Sequence, residues 1–443
     1  MRASHDLSRV SVSFDEANLV PCAGLLPAAV LADRVGLSRL IEQRLTLARH
    51  GANSGAKALT VIGSMLAGGD SIDDTDLLRA GALGELFDGT RAPSTIGTWL
   101  RDFRWHNVRQ LDAVSRELLK RLWDAGAGPV DLGAPLTLDL DSTIVPVFGR
   151  GKQGAAFGYT KVRGYHPQLA TCAQTGQVVF SRLRGGAAGA ARGAQSFLTE
   201  TISRVRAAGA TGQLTVRADS AFYSKAVLCT AAKFDVRFSV TVRQNKSIRA
   251  AIEAIDESAW VPIPYWLSTP EVSGADVAET DYTCFAGTRQ AMTIRLVVRR
   301  VRPTPGSQLA LFTTWDYHAF VTDQPGDMLE LEADHRRHAV VEQSIAELKS
   351  AGLAHLPSSR FTANAAWLAL TVMGHNLGRA VGILAGHDLT RATAATLRRA
   401  LFTVPGRLVH SARRRHLRLP QRWPWAEAFT AALAAITAIP MRC

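Results

Sequence analysis

Cysteine is scarce and scattered: five in 443 residues (Cys22, Cys172, Cys229, Cys284, Cys443), none in CxxC spacing. That excludes a disulfide scaffold and a cysteine-built zinc site, and it suits a reducing, cytoplasmic compartment. The opening segment MRASHDLSRVSVSFDE has no apolar core, so no secretory signal is expected there. Long hydrophobic runs are also missing. The best, near Trp367–Met373 and Phe429–Ile439, read as too short or too interrupted to cross a bilayer. No Ser-His-Asp or Cys-His constellation and no internal repeat stands out, so a residue nucleophile and a solenoid are both disfavoured. Acid is absent where base is densest: Arg391–Arg422 holds nine arginines and no Asp or Glu. With a net charge of +13, that patch points to a polyanionic partner. A hydrophobic content of 47% and a charged content of 20% describe a globular chain, long enough for two or three domains.

Three carboxylates in three different local settings carry the chemistry. In LTLDLDST (Leu136–Thr143), Leu138 and Leu140 alternate with Asp139 and Asp141. A period of two is a strand signal, and it sets both aspartates on the face opposite the leucines. Either aspartate can be a ligand; if it is Asp141, Asp139 can orient it. In LTVRADSAFYS, Leu214, Val216 and Ala218 face one way and Thr215, Arg217 and Asp219 the other. The third acid is Glu342, in the helical run HRRHAVVEQSIAELK. Val341, Ile345 and Leu348 form its apolar stripe, and His335, His338, Glu342 and Lys349 share one flank, with Glu347 on the solvent side. Two strand-borne aspartates and one helix-borne glutamate can hold two Mg²⁺ ions, or Mn²⁺, through oxygen ligands. Such sites carry out in-line displacement at phosphodiesters.

Around these acids the texture changes four times. Residues 1–130 read as a helical region for DNA binding or dimerisation, in which 73–103 is either a helix-turn-helix, with Ser94 or Thr95 as the cap of its second helix, or an ordinary helical bundle packing Trp99 and Phe103. Gly126–Pro135 reads as a linker. Then come strands at 136–142, 168–173 and 177–184, a helix at 195–208, a strand at 213–219, a helix at 224–233 and a strand at 235–242. That order matches an α/β RNase H-like core with a mixed five-stranded sheet, the first part spanning 131–255. Residues 256–322 read as an all-β insertion, and 323–390 as the second part of the core with the Glu342 helix. Residues 391–443 form the basic C-terminal region. Arg243 and Lys246, just past the strand at 235–242, either line the acidic cleft or are surface charge. Arg413, Arg414 and Arg415 are candidates for phosphate contact. Trp266 and Trp315 are core residues of the insertion or a platform for a displaced base.

LDLDST, VRADSAFYS and EQSIAELK together resemble the DDE transposases of bacterial insertion sequences. The nearest likeness is to the branch with a β-rich insertion and a Tyr-Arg-Glu-Lys signature, in the group typified by insertion sequence thirteen-eighty. The stretch GRGKQGAAFGYTKVRGYHP and the late segments VPGRLV and LPQRWPW extend the resemblance through most of the chain. Glu342 and Lys349 match the signature; His338 and His335 stand where it has Arg and Tyr. The resemblance implies Asp141, Asp219 and Glu342 as metal ligands, and DNA contacts near Lys349, His338 and His335. It also implies a homodimer on terminal inverted repeats, and cut-and-paste movement through a hairpin intermediate. A nuclease without strand transfer and an inactive DNA-binding descendant are the other classes compatible with these residues.

Overall fold

In the computed structural model, which describes residues 7–158, 160–264, 274–302, 315–411 and 414–442, the alternating segments become strands. Trp266 and Arg413 lie outside the described residues. Nine strands form the main sheet: β1 (Leu136–Ser142), β2 (Gln168–Cys172), β3 (Val178–Arg182), β4 (Leu214–Ala218), β5 (Arg237–Thr241), β6 (Val261–Pro262), β7 (Ala275–Cys284), β8 (Met292–Val301) and β9 (Asp316–Thr322). Their spatial order is β6-β7-β8-β9-β5-β4-β1-β2-β3. β1, β4 and β5 run parallel, and the neighbours on both sides are antiparallel. The sheet is therefore larger than the expected five strands. β5 would otherwise leave a row of unpaired backbone groups along its outer edge. Instead β9 pairs with it, Val321 opposite Val240, so the insertion strands continue the same sheet.

The helices preceding the sheet are α1 (Leu26–Arg34), α2 (Leu37–Arg44), α3 (Ser54–Ala67), α4 (Pro93–Arg101) and α5 (Trp105–Asp124). Pro93 occupies the first turn of α4 and Ala92 is its cap, so neither Ser94 nor Thr95 caps it. Between α3 and α4 lie only a 3₁₀ helix, Asp73–Arg79, and a single turn, Leu83–Leu86, rather than the first helix of a helix-turn-helix in 73–103. α4 buries Ile96, Trp99 and Leu100, and the Trp99 indole donates to Ser54 Oγ at 3.1 Å.

Within and after the sheet lie α6 (Ala194–Ala207), α7 (Lys225–Lys233), α8 (Lys246–Glu253), α9 (Met328–Arg336), α10 (Val340–Leu348), α11 (Phe361–Ala385) and α12 (Ala426–Ala438). Leu138 and Leu140 of β1 and Val216 of β4 pack with Phe197 and Ile202 of α6 and Leu228 of α7. The opposite face, bearing the aspartates, is met by α10. α11 is longer than the apolar run suggests, and its length and composition alone would let it cross a membrane. It is instead the central core helix, with 89% of its most apolar window buried, packed among α3, α5 and α12. Leu31, Ile62, Trp99 and Leu118 share that core with Leu348, Trp367 and Phe429.

Candidate active site

β1 and β4 are parallel neighbours, so Asp141 near the end of β1 and Asp219 just past β4 emerge at the same end of the sheet. α10 packs across β1 and brings Glu342, which is exposed, and Lys349 at its C-terminus. The three acids act on one another electrostatically. The Asp141 carboxyl is pushed up to about 6, chiefly by burial, and the carboxylates of Asp219 and Glu342 push the same way. The Ser142 backbone N–H, donating to Asp141 Oδ1 at 2.6 Å, and His338 act against that rise. Burial lowers the Lys349 ammonium, while the Asp141 charge supports it. Asp219 Oδ1 accepts from the Ala221 N–H at 3.1 Å, which fixes the turn after β4.

Asp139 has a different occupation. It is 1% exposed, and both its oxygens are held by Arg217, directly opposite in register: Nε to Oδ1 at 2.8 Å and Nη2 to Oδ2 at 3.0 Å. Arg217 also donates to Asp334 Oδ1 at 3.0 Å, and His338 Nδ1 lies 3.0 Å from Asp139 Oδ1. Asp139 is thus the buried anchor beneath the other acids, and Arg217 and Asp334, which periodicity alone does not single out, belong to the same network.

His335 departs from its expected role. The helix breaks into a 3₁₀ turn at Arg337–Ala339, so His335 and Glu342 do not share one continuous flank. Its ring stacks on Phe320 at 4.0 Å, and its nitrogens are taken by Ser239 Oγ (2.7 Å) and Thr241 Oγ1 (3.0 Å). Burial, reinforced by the charges of His338, Arg217 and Arg299, depresses it to about 3. A neutral ring with both nitrogens engaged is no phosphate contact, so His335 is a packing residue. Glu347 also turns inward, to 9% exposure, accepting from Gln343 Nε2 at 3.1 Å.

The other expected contacts are spread. Arg243 and Lys246 are exposed at the end of β5 and the start of α8, on the sheet end where Asp219 emerges. Arg414 and Arg415 lie on a separate three-stranded sheet made of Leu19–Val20, Gly406–Ser411 and Arg414–Arg418. There Arg415 Nη1 donates to the Glu85 carbonyl at 2.7 Å. Trp315 carries the Arg300 guanidinium over its ring at 4.3 Å.

One neighbour of the acids was not foreseen. His166 is buried; its Nδ1 donates to the Ala188 carbonyl at 2.6 Å, so its Nε2 accepts from Ser142 Oγ at 3.0 Å. Its titration is lowered chiefly by burial and also feels Asp219. The antiparallel return of β2, Ser142 opposite Gln168, is what brings it back to the end of β1.

Among the described residues no three His, Cys, Asp or Glu side chains close together into a ligand set. The donor chemistry nevertheless suits a divalent cation: carboxylate oxygens, with Asp141 raised chiefly by burial and further by the charges of Asp219 and Glu342, a rise that an added positive charge would relieve.

A large mixed sheet with helices against it is consistent with the fold of transposase DDE domains. The family model described as transposase DDE domain group 1 matches residues 3–441, and the chain belongs to that family of DNA transposases. No match is found among curated proteins. Among solved structures, a cryo-EM structure of the piggyBac transposase synaptic complex with hairpin DNA is similar at 14% identity. The match covers 85% of this chain and 79% of that one, with a TM-score of 0.43.

Proposed function

We propose that this chain is the transposase of a bacterial insertion sequence of the group typified by insertion sequence thirteen-eighty. In this reading Asp141, Asp219 and Glu342, on an RNase H-like core, hold two divalent cations, Mg²⁺ or Mn²⁺, at the end of β1 and β4. Residues 1–130 and the arginines of 391–443 bind DNA, 256–322 is an insertion into the core, and a homodimer acts in the cytoplasm on the nucleoid. What supports it is that Asp141 and Asp219 follow from parallel neighbouring strands at one end of the sheet, with the Glu342 helix packed across β1.

When bound, the ions would supply an activated water or 3′-hydroxyl and a stabilised leaving oxygen. Asp141, Asp219 and Glu342 would hold the ions through their carboxylate oxygens. Asp139, locked to Arg217, fixes the height of β1 beneath them. Lys349 meets the phosphate from the end of α10 and offsets its charge. Element ends are cut and the freed 3′-hydroxyls join target DNA.

Cleavage of DNA bearing the terminal inverted repeats, with Mg²⁺, tests this. Wild type is expected to cut and join; Asp219→Ala is expected to lose at least about a thousandfold in cleavage rate, roughly 4 kcal/mol, and still bind the ends. Cleavage retained in Asp219→Ala would overturn the assignment. Cutting without joined target DNA would mark a nuclease.

A further inference from the structure

The side chain of His338 is half of a pattern whose other half is on the page. Asp139, gripped through both oxygens by Arg217, is ionised and can only accept hydrogen bonds. His338 Nδ1, 3.0 Å from Asp139 Oδ1, must therefore carry the proton. In the neutral ring the lone pair then falls on Nε2, for which there is no hydrogen-bond partner among the described residues. The residue holding that lone pair lies in the 3₁₀ turn that leads into the Glu342 helix, bonded to Asp139, two positions before Asp141 on the same strand face, and its charge acts on Asp141. A carboxylate that holds one imidazole nitrogen and frees the other is how proteins prepare a histidine for a metal.

Resting on the active-site reading above, we propose that His338, oriented by Asp139, is a nitrogen ligand of the divalent-cation site, which consequently favours Mn²⁺ over Mg²⁺. Imidazole is a good donor to transition metals, whereas Mg²⁺ is held by oxygens and retains its waters. Arg217 is a positioning residue in this scheme: it holds Asp139, which holds His338.

Mn²⁺ bound to the full-length chain, alone and with a DNA duplex, can be read by pulsed electron paramagnetic resonance, where a coordinated ¹⁴N modulates the electron echo. Wild type is expected to show that modulation. His338→Gln, whose amide can still reach Asp139, is expected to lose it and to bind Mn²⁺ about tenfold or more weakly, with a smaller change for Mg²⁺. Wild-type chain with ¹⁵N-labelled histidine is expected to change the modulation pattern, which keeps the test open if His338→Gln does not fold. Bound Mn²⁺ without nitrogen modulation in wild type, or modulation persisting in His338→Gln, overturns the proposal and leaves the acid site standing. Mn²⁺ bound as tightly by Asp141→Asn and Asp219→Asn as by wild type overturns the acid site, and this proposal with it.

Discussion

Asp139 and Asp141 stand two residues apart on one strand, yet their environments oppose each other. Asp139 is neutralised by a bidentate guanidinium; removing it strands Arg217, itself 2% exposed, with only the Asp334 side chain to balance it. Asp139→Ala is therefore expected to cost about 3–5 kcal/mol in urea unfolding, the penalty of breaking a buried pair. Asp141 is pushed up to about 6, chiefly by burial and further by the charges of Asp219 and Glu342. A carboxyl raised in the folded state loses stability as pH climbs from the unfolded value, about 4, through its folded value of about 6, because the unfolded chain ionises first; the loss is complete above that. Asp141→Asn should consequently gain about 1–3 kcal/mol at pH 7, with the gain vanishing below about pH 4, while cleavage is lost. An Asp141→Asn chain no more stable than wild type at pH 7 would refute that picture of a strained acid. His335 gives the opposite acid dependence. Its folded-state value, about 3, lies below the unfolded 6.5, so its contribution is complete above pH 6.5 and drains away as pH falls towards 3. Unfolding midpoints across that window should fall more steeply for wild type than for His335→Gln; parallel curves would show that the ring is not held neutral.

At the scale of elements, the main-sheet strands and the helices between 136 and 241 are legible in the sequence to within about two residues, because period-two and helical patterns are local properties; the short strands Val145–Pro146, Ala156–Phe157 and Arg163–Tyr165, which form a small sheet of their own, are not. The strand and helix settings of Asp141, Asp219 and Glu342 are legible for the same reason, whereas their roles rest on the resemblance. Register between distant strands is not local, so nothing in LTLDLDST announces that Asp139 will meet Arg217. Nor does helical periodicity reveal the 3₁₀ turn at Arg337–Ala339, which assigns His335 to Ser239 and His338 to Asp139. The joining of β9 to β5 is likewise a tertiary choice between an exposed edge and a continued sheet. A π-helical turn, Lys349–Leu353, ends the Glu342 helix and depends on Gly352, whose φ is 130°. A Cβ there would lie 2.8 Å from Met65 Cε and 3.2 Å from Thr371 Oγ1, and the Gly352 carbonyl accepts from the Trp367 indole at 2.8 Å. Gly352→Ala is expected to cost about 1–3 kcal/mol in urea unfolding and to slow cleavage by displacing Lys349. Unchanged stability would show that the turn relaxes freely.

For the whole molecule, the charge is asymmetric as well as large. The hairpin Gly406–Ser411/Arg414–Arg418 exposes Arg414 and Arg418, and no acid lies in its sequence to neutralise them. It is packed through Leu408, with Val20, Ala23 and Leu83, into a small core of its own, so its charged face is held on a folded support. Phosphates neutralised by such a face release counterions, and the logarithm of affinity falls with the logarithm of salt by about 0.9 per contact. Backbone contact carries no base information, so its loss should weaken binding equally on every duplex. Arg414→Ala combined with Arg418→Ala is thus expected to reduce the magnitude of the salt slope by about 2, by the same amount on inverted-repeat and unrelated DNA. An unchanged slope would remove this hairpin from the DNA path. A loss confined to the inverted repeats would instead assign it to base reading, and sequence selection would then lie on this small sheet rather than on the helices of 1–130.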